Sequence, residues 1–166
     1  APGSHGISGV VVYVEGSKSA PKPKTVIDNA QCRYAPHVAV VDVGAPFTIR
    51  NSDRFLHNTH GKTHAGQSIF NIALPMKDMK VEKKLTKPGP YALSCDVHGW
   101  MKGWVYALEG QIASVSAVDG TFKLSEVETG PQILRFWHET LGERTLSVSV
   151  LGDKPTTIEM RFEEKN

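Results

Sequence analysis

The stretch SCDVHGWM, Ser94 to Met101, sets Cys95, His98 and Met101 at three-residue intervals. A thiolate, an imidazole and a thioether so close together are soft donors, and soft donors beside imidazole select copper. The fitting arrangement is a trigonal set of two histidines and one cysteine with a weak axial methionine. Zinc takes Cys, His and carboxylate but not thioether. The loop supplies three of the four donors, so a second histidine must arrive from elsewhere in the chain. The candidate is His57 in NSDRFLHNTHG, where the strand-like PFTIRN (46–51) runs into a turn and then presents His57 and Asn58. A donor from a different strand end at the same pole lets four ligands close on one ion without the chain folding sharply on itself. The other histidines read differently. His60 stands an odd step from His57 and so faces away on an extended strand. His64, in GKTHAG, is a candidate to join His60 in a weak second site; His37 and His138 read as structural histidines, and His5 sits in the terminal tail.

These donors need strands to position them, and the chain reads as β throughout. ISGVVVYV (7–14), HVAVVDV (37–43), PFTIRN (46–51), KVEKKLT (80–86), YALSC (91–95) and GWVYAL (103–108) are short, β-branched or alternating, and bounded by Gly, Pro, Asn and Asp. In PYALSC the two-residue repeat puts Tyr91, Leu93 and Cys95 on one face, so Cys95 leaves the core side of a strand as it enters the loop. After Leu108 the texture changes. Strands are expected near 111–118, 121–125, 131–137, 144–151 and 156–162, with Asp119-Gly120 as a hairpin signal. This tail is small for an independent core, so it is expected to pack on the first domain or share a strand with it. The domains are accordingly drawn at 1–108 and 109–166. GSKSAPKPK (16–24) reads as an exposed loop.

Composition excludes several classes. The 166 residues carry 19 Lys and Arg against 17 Asp and Glu, net +2, which argues against a nucleic-acid binder with its strong basic excess. Lysines 77, 80, 83, 84 and 87 read as a solvated strand edge kept from aggregating by charge. No apolar run approaches 18 residues, so no membrane span is expected. The polar opening APGSHG has no apolar signal segment and fits a mature or trimmed start. Neither paired carboxylates nor a nucleophile with base and orienter stands out, so no enzyme is read here.

CRYAPHVAVVDVGAPFTIRNSDRFLHN followed by KPGPYALSCDVHGWMKGWVYAL resembles the cupredoxins, the type 1 copper proteins. The short C-x-x-H-x-x-M loop and the HNTH pattern are most like those of amicyanin. Over about 31–108 the strand, Gly turn, Asn-x-Asp, His-Asn, Pro-Gly and ligand loop arrive in the family's order. The resemblance implies a Greek-key β-barrel or sandwich with one copper ion near one end, held by His57, Cys95 and His98 with Met101 axial. It implies that Asn58 ties the ligand loops together by hydrogen bonds. It also brings Cys32 near the ligand loop, with three outcomes open: a free thiol packed beside the site, a further copper ligand, or a disulfide with Cys95. The tail, through VDGTFKLSEVETG, resembles the carboxypeptidase regulatory-like or transthyretin-like β-modules.

The function these resemblances imply is outer-sphere electron transfer between Cu(I) and Cu(II), with a redox partner protein, in a periplasmic or otherwise exported setting. Two alternatives stand beside it. One is copper storage or delivery to a copper-handling partner, using the surplus His and Cys. The other is a metal-free structural module closed by a Cys32–Cys95 disulfide.

Overall fold

A computed structural model describes residues 6–162. Among them are thirteen strands and no helix, so the all-β expectation is met. The residues divide into two compact units, Lys22–Glu109 and a discontinuous one made of Ala1–Pro21 with Gly110–Asn166.

Lys22–Glu109 is a sandwich of two sheets. The first has the order β3 (Arg33–Ala35), β2 (Val26–Ala30), β5 (Phe47–Asn51), β8 (Lys80–Lys83). The second runs β4 (Val38–Asp42), β10 (Lys102–Leu108), β9 (Gly89–Ser94), β6 (His57–Thr63), β7 (Ser68–Leu74). Both sheets stay open, so of the expected barrel or sandwich the molecule takes the sandwich. Strand β4 pairs parallel to β10, and β2 parallel to β5, so the chain crosses between the layers instead of meandering. Alternation decides which side chains face inward. Ile27, Phe47 and Ile49 from one sheet meet Val41, Leu74, Leu93 and Val105 from the other, all buried in one cluster. Lys80 and Lys83 lie on the edge strand β8, where charge discourages pairing with another chain.

Four strands form where the sequence reading placed none: β2, β3, β6 and β7. His57–Thr63 and Ser68–Leu74 make a hairpin with a register shift between Gly61 and Lys62. Gly61 makes room there: a Cβ at that position would overlap the far end of the Phe70 ring on the paired strand, and the ring would have to move.

The second unit is one sheet, in the order β11 (Ala113–Val115), β1 (Val11–Val14), β12 (Gly130–His138), β13 (Gly142–Val150). The sequence reading gave the N-terminal strand to the first domain. Instead, β1 is an interior strand here, pairing with β11 on one side and β12 on the other. The cause is plain in the side chains: Val10, Val12 and Val14 share a buried cluster with Ile112, Leu134 and Phe136. Asp119-Gly120 does form a turn, closed by the Ala117 amide on the Thr121 carbonyl at 2.8 Å. The expected strands at 121–125 and 156–162 are irregular segments, whose Phe122, Leu124, Ile158 and Met160 pack on the cluster without joining the ladder.

Candidate metal centre

Cys95, His98 and Met101 lie in the loop between β9 and β10, antiparallel neighbours in which Ser94 pairs with Lys102. The loop closes on itself. The Cys95 amide donates to the Met101 carbonyl at 3.3 Å and the Met101 amide to the His98 carbonyl at 2.9 Å. Cys95 is 2 % exposed and continues the inward face of Tyr91 and Leu93, as the two-residue repeat predicts. Met101 is buried in the same core cluster.

His57 opens β6, which pairs directly with β9, so the start of one strand and the end of the other meet at one pole of the sandwich. Its ring is fully buried. His57 Nδ1 lies 3.1 Å from His98 Nδ1, and His98 Nδ1 lies 3.8 Å from Cys95 Sγ. The donor atoms of His57, Cys95 and His98 are all within 4.8 Å of one another. Two imidazole nitrogens and a sulfur facing one small space are a donor set for soft and borderline metals, and copper fits it. His98 is half-buried, and its ring meets the exposed Trp100 ring at 5.2 Å between centroids.

The surroundings hold these donors in place. Asn58 Oδ1 accepts the Asp96 amide at 2.6 Å and the Cys95 thiol at 3.3 Å. Its Nδ2 donates to Asn71 Oδ1 and Asp96 Oδ2, each at 2.8 Å. Asn58 therefore joins β6 to the ligand loop, the bond the sequence reading expects of it. Tyr34, whose hydroxyl donates to the Asn58 carbonyl at 3.0 Å, is buried, and burial pushes its pKa up. The amide of Asn71, with His60 and Asn58, holds the Asp96 carboxyl below the ordinary range.

Sequence reasoning missed Asp53. Its carboxylate reaches His57 Nε2 at 2.9 Å, the Gln31 amide at 2.8 Å and the Cys32 amide at 2.9 Å. Desolvation pushes the Asp53 carboxyl up, but the two amides and the His57 ring outweigh it and leave it below the ordinary range. The only available signal was the Asn-x-Asp pattern: Asn51 Oδ1 accepts the Asp53 amide at 2.9 Å, an Asx turn that folds the segment back.

The remaining candidates separate cleanly. Cys32 and Cys95 are both free thiols, so no disulfide joins them. Cys32, Asp53 and His57 place donor atoms within 4.8 Å of one another, a second group that shares His57 with the first. His60 faces away from His57 and bonds Ser68 Oγ at 2.9 Å. Among the described residues His60 and His64 belong to no group of three or more converging donors. His37 Nδ1 meets the Lys102 carbonyl at 3.0 Å, a structural contact. His138 Nδ1 caps its own turn, taking the amides of Thr140 and Leu141. His5 lies outside the described residues.

No family model matches this chain and no curated protein matches it. Solved structures do. A purple cupredoxin from Nitrosopumilus maritimus is 25 % identical over 51 % of this chain and 100 % of its own, with a TM-score of 0.45. A reduced mutant form of amicyanin is 20 % identical over 58 % of this chain and 98 % of its own, with a TM-score of 0.47. A copper-containing nitrite reductase from Thermus scotoductus SA-01 is 22 % identical over 57 % of this chain but only 24 % of its own, with a TM-score of 0.44.

Proposed function

We propose that this chain binds one copper ion through His57, Cys95 and His98, with Met101 as a weak fourth ligand, and serves as an outer-sphere electron carrier. The observation that carries the reading is the convergence of the His57, His98 and Cys95 donor atoms at one pole of the sandwich. Bound copper supplies a one-electron couple, and the chain's part is to hold both oxidation states in nearly one geometry. The hydrogen bonds within the loop and through Asn58 fit that task, because they fix the donors before any ion arrives. Met101 comes off the same loop immediately before β10 and would supply the weak fourth donor to a bound ion. His98, half-buried beside the exposed Val97 and Trp100, is the proposed exit for the electron toward a redox partner protein. Export to a periplasmic or extracellular setting, and a transthyretin-like identity for the C-terminal residues, belong to the same proposal. Among the described residues no helix is long and apolar enough to cross a membrane.

A second reading, copper storage or delivery to a copper-handling partner, draws on the Cys32, Asp53 and His57 group, which adds donors next to the first set. Copper titration followed by visible and EPR spectra separates the two. The electron-carrier reading expects one equivalent bound, with an intense thiolate-to-Cu(II) band that is lost in Cys95→Ser and survives Cys32→Ser. Absence of that band in the unmodified protein sinks it. A band lost in both variants, or a second equivalent that exchanges readily with a chelator, favours storage or delivery.

A further inference from the structure

The hairpin between β2 and β3 turns on Gln31 and Cys32, with φ of 53° and 52°. Two consecutive left-handed residues between the paired Ala30 and Arg33 make a type I′ turn, a conformation that favours Asn-Gly and strains most other residues. Neither residue here is glycine. What the turn gains is a pair of adjacent amides aimed at one point, the concavity that successive backbone N–H groups offer to an anion. Asp53 fills it, with Oδ1 on the Gln31 amide and Oδ2 on the Cys32 amide. The same Oδ2 meets His57 Nε2. The carboxylate is thus fixed by backbone on one side and faces an imidazole on the other. The turn also reaches the opposite half of the site, because Trp100 Nε1 donates to the Cys32 carbonyl at 3.2 Å.

We infer that Asp53, clamped by the Gln31–Cys32 turn, is a positioning residue that fixes the His57 ring with its proton on Nε2 and its Nδ1 lone pair toward His98 and Cys95. The hydrogen-bond partners point to it for a neutral His57 ring. An ionised carboxylate can only accept, so the His57 Nε2 beside it is the donor. A neutral ring that donates from Nε2 has an acceptor at Nδ1, and the 3.1 Å contact with His98 Nδ1 is then donated by His98. His57 is thereby held ready to give Nδ1 to an ion without turning over. The negative charge behind the ring also makes it a stronger donor, which favours Cu(II) over Cu(I). Asp53 itself is not a ligand on this reading, because its oxygens are engaged by two amides and the ring. Cys32 serves through its amide and carbonyl, not through its thiol.

The inference deepens the copper reading, yet its first test needs no metal. In the metal-free protein, nitrogen-15 NMR of the imidazoles is expected to show His57 protonated at Nε2. Asp53→Ala should shift His57 toward the other tautomer or a mixture, whereas Cys32→Ser, which keeps both amides, should retain the original one. The same tautomer in Asp53→Ala and the unmodified protein would overturn the proposal, whether or not copper binds. In the copper-loaded protein, Asp53→Asn keeps an acceptor oxygen but loses the charge. Copper affinity should fall by about 10- to 100-fold, and each tenfold loss borne by Cu(II) alone raises the reduction potential by about 59 mV. A natively folded Asp53→Asn protein with an unchanged potential would overturn the proposal. So would a second equivalent of zinc, bound on top of copper and lost in both Asp53→Asn and Cys32→Ser, since Asp53 would then be a ligand.

Discussion

Asn58 shows how much one side chain can do at the centre of a site without touching an ion. Its carbonyl oxygen takes the Asp96 amide and the Cys95 thiol, and its amide nitrogen reaches Asn71 and Asp96. Truncation removes all these bonds at once from a side chain that is itself buried. Asn58→Ala is expected to lower stability by about 1–3 kcal/mol, the cost of leaving buried polar groups unpaired. Urea unfolding measures this directly, and a loss below a few tenths of a kcal/mol would remove Asn58 from the role. At this scale the sequence was most legible where donors are local. Cys95 and His98 share one hairpin loop, so their spacing alone brings their side chains together. His57 needed the strand-end argument and the family resemblance, because nothing local ties it to Cys95. Asp53 left only the Asn-x-Asp pattern, for a physical reason: two of its partners are backbone amides from another hairpin, and an amide leaves no trace in side-chain identity.

At the scale of elements, two positions test whether local backbone geometry is read correctly. Gln31 is exposed and left-handed, so glycine should relieve the strain there while adding entropy to the unfolded chain. The net effect of Gln31→Gly is expected to lie between neutral and about 1 kcal/mol stabilising, and a clear loss in thermal melting would contradict the turn assignment. Gly61→Ala is expected to go the other way. The new methyl must displace the Phe70 ring, at a cost of about 1–3 kcal/mol; an undiminished melting temperature would mean that the ring moves freely. The hairpin that carries both Gly61 and His57 escaped the sequence reading. HNTHGKT is polar and lacks the apolar alternation that marks a half-buried strand, although tertiary context buries His57 and Thr59 completely. The five strands flanking it that alternate or run apolar, β4, β5, β8, β9 and β10, were all legible. Pairing between distant segments was not: β1 was drawn with the first domain, and it pairs with β11 and β12.

At the scale of the whole molecule, the donors and the remaining core respond to different variables. His57, Cys95 and His98 all belong to Lys22–Glu109, so a bound ion should stabilise that unit by mass action. Hydrogen exchange should report slower exchange in β6, β9 and β10 on adding copper, and no change in these strands would count against the site. The other unit carries its own pH sensitivity. The Arg135 guanidinium holds the Glu15 carboxyl below the ordinary range, and the Thr121 hydroxyl and amide do the same for Asp119. Depressed carboxylates contribute stability that is present above their unfolded values and is lost as pH falls through the folded ones. Protection of β1, β12 and β13 should therefore weaken as pH drops below about 4; firmer protection in acid would reverse the sign of the argument. Finally, the place of β1 bears on how the chain comes off the ribosome. A nascent chain that has emerged only to Glu109 has every strand of the sandwich, so that part can fold during synthesis. Val11–Val14, made earlier, must meanwhile wait for β11 and β12 to emerge before either of its edges is paired. Until then an apolar, unpaired VVYV segment is open to wrong partners, and chaperone capture or early aggregation would concentrate there.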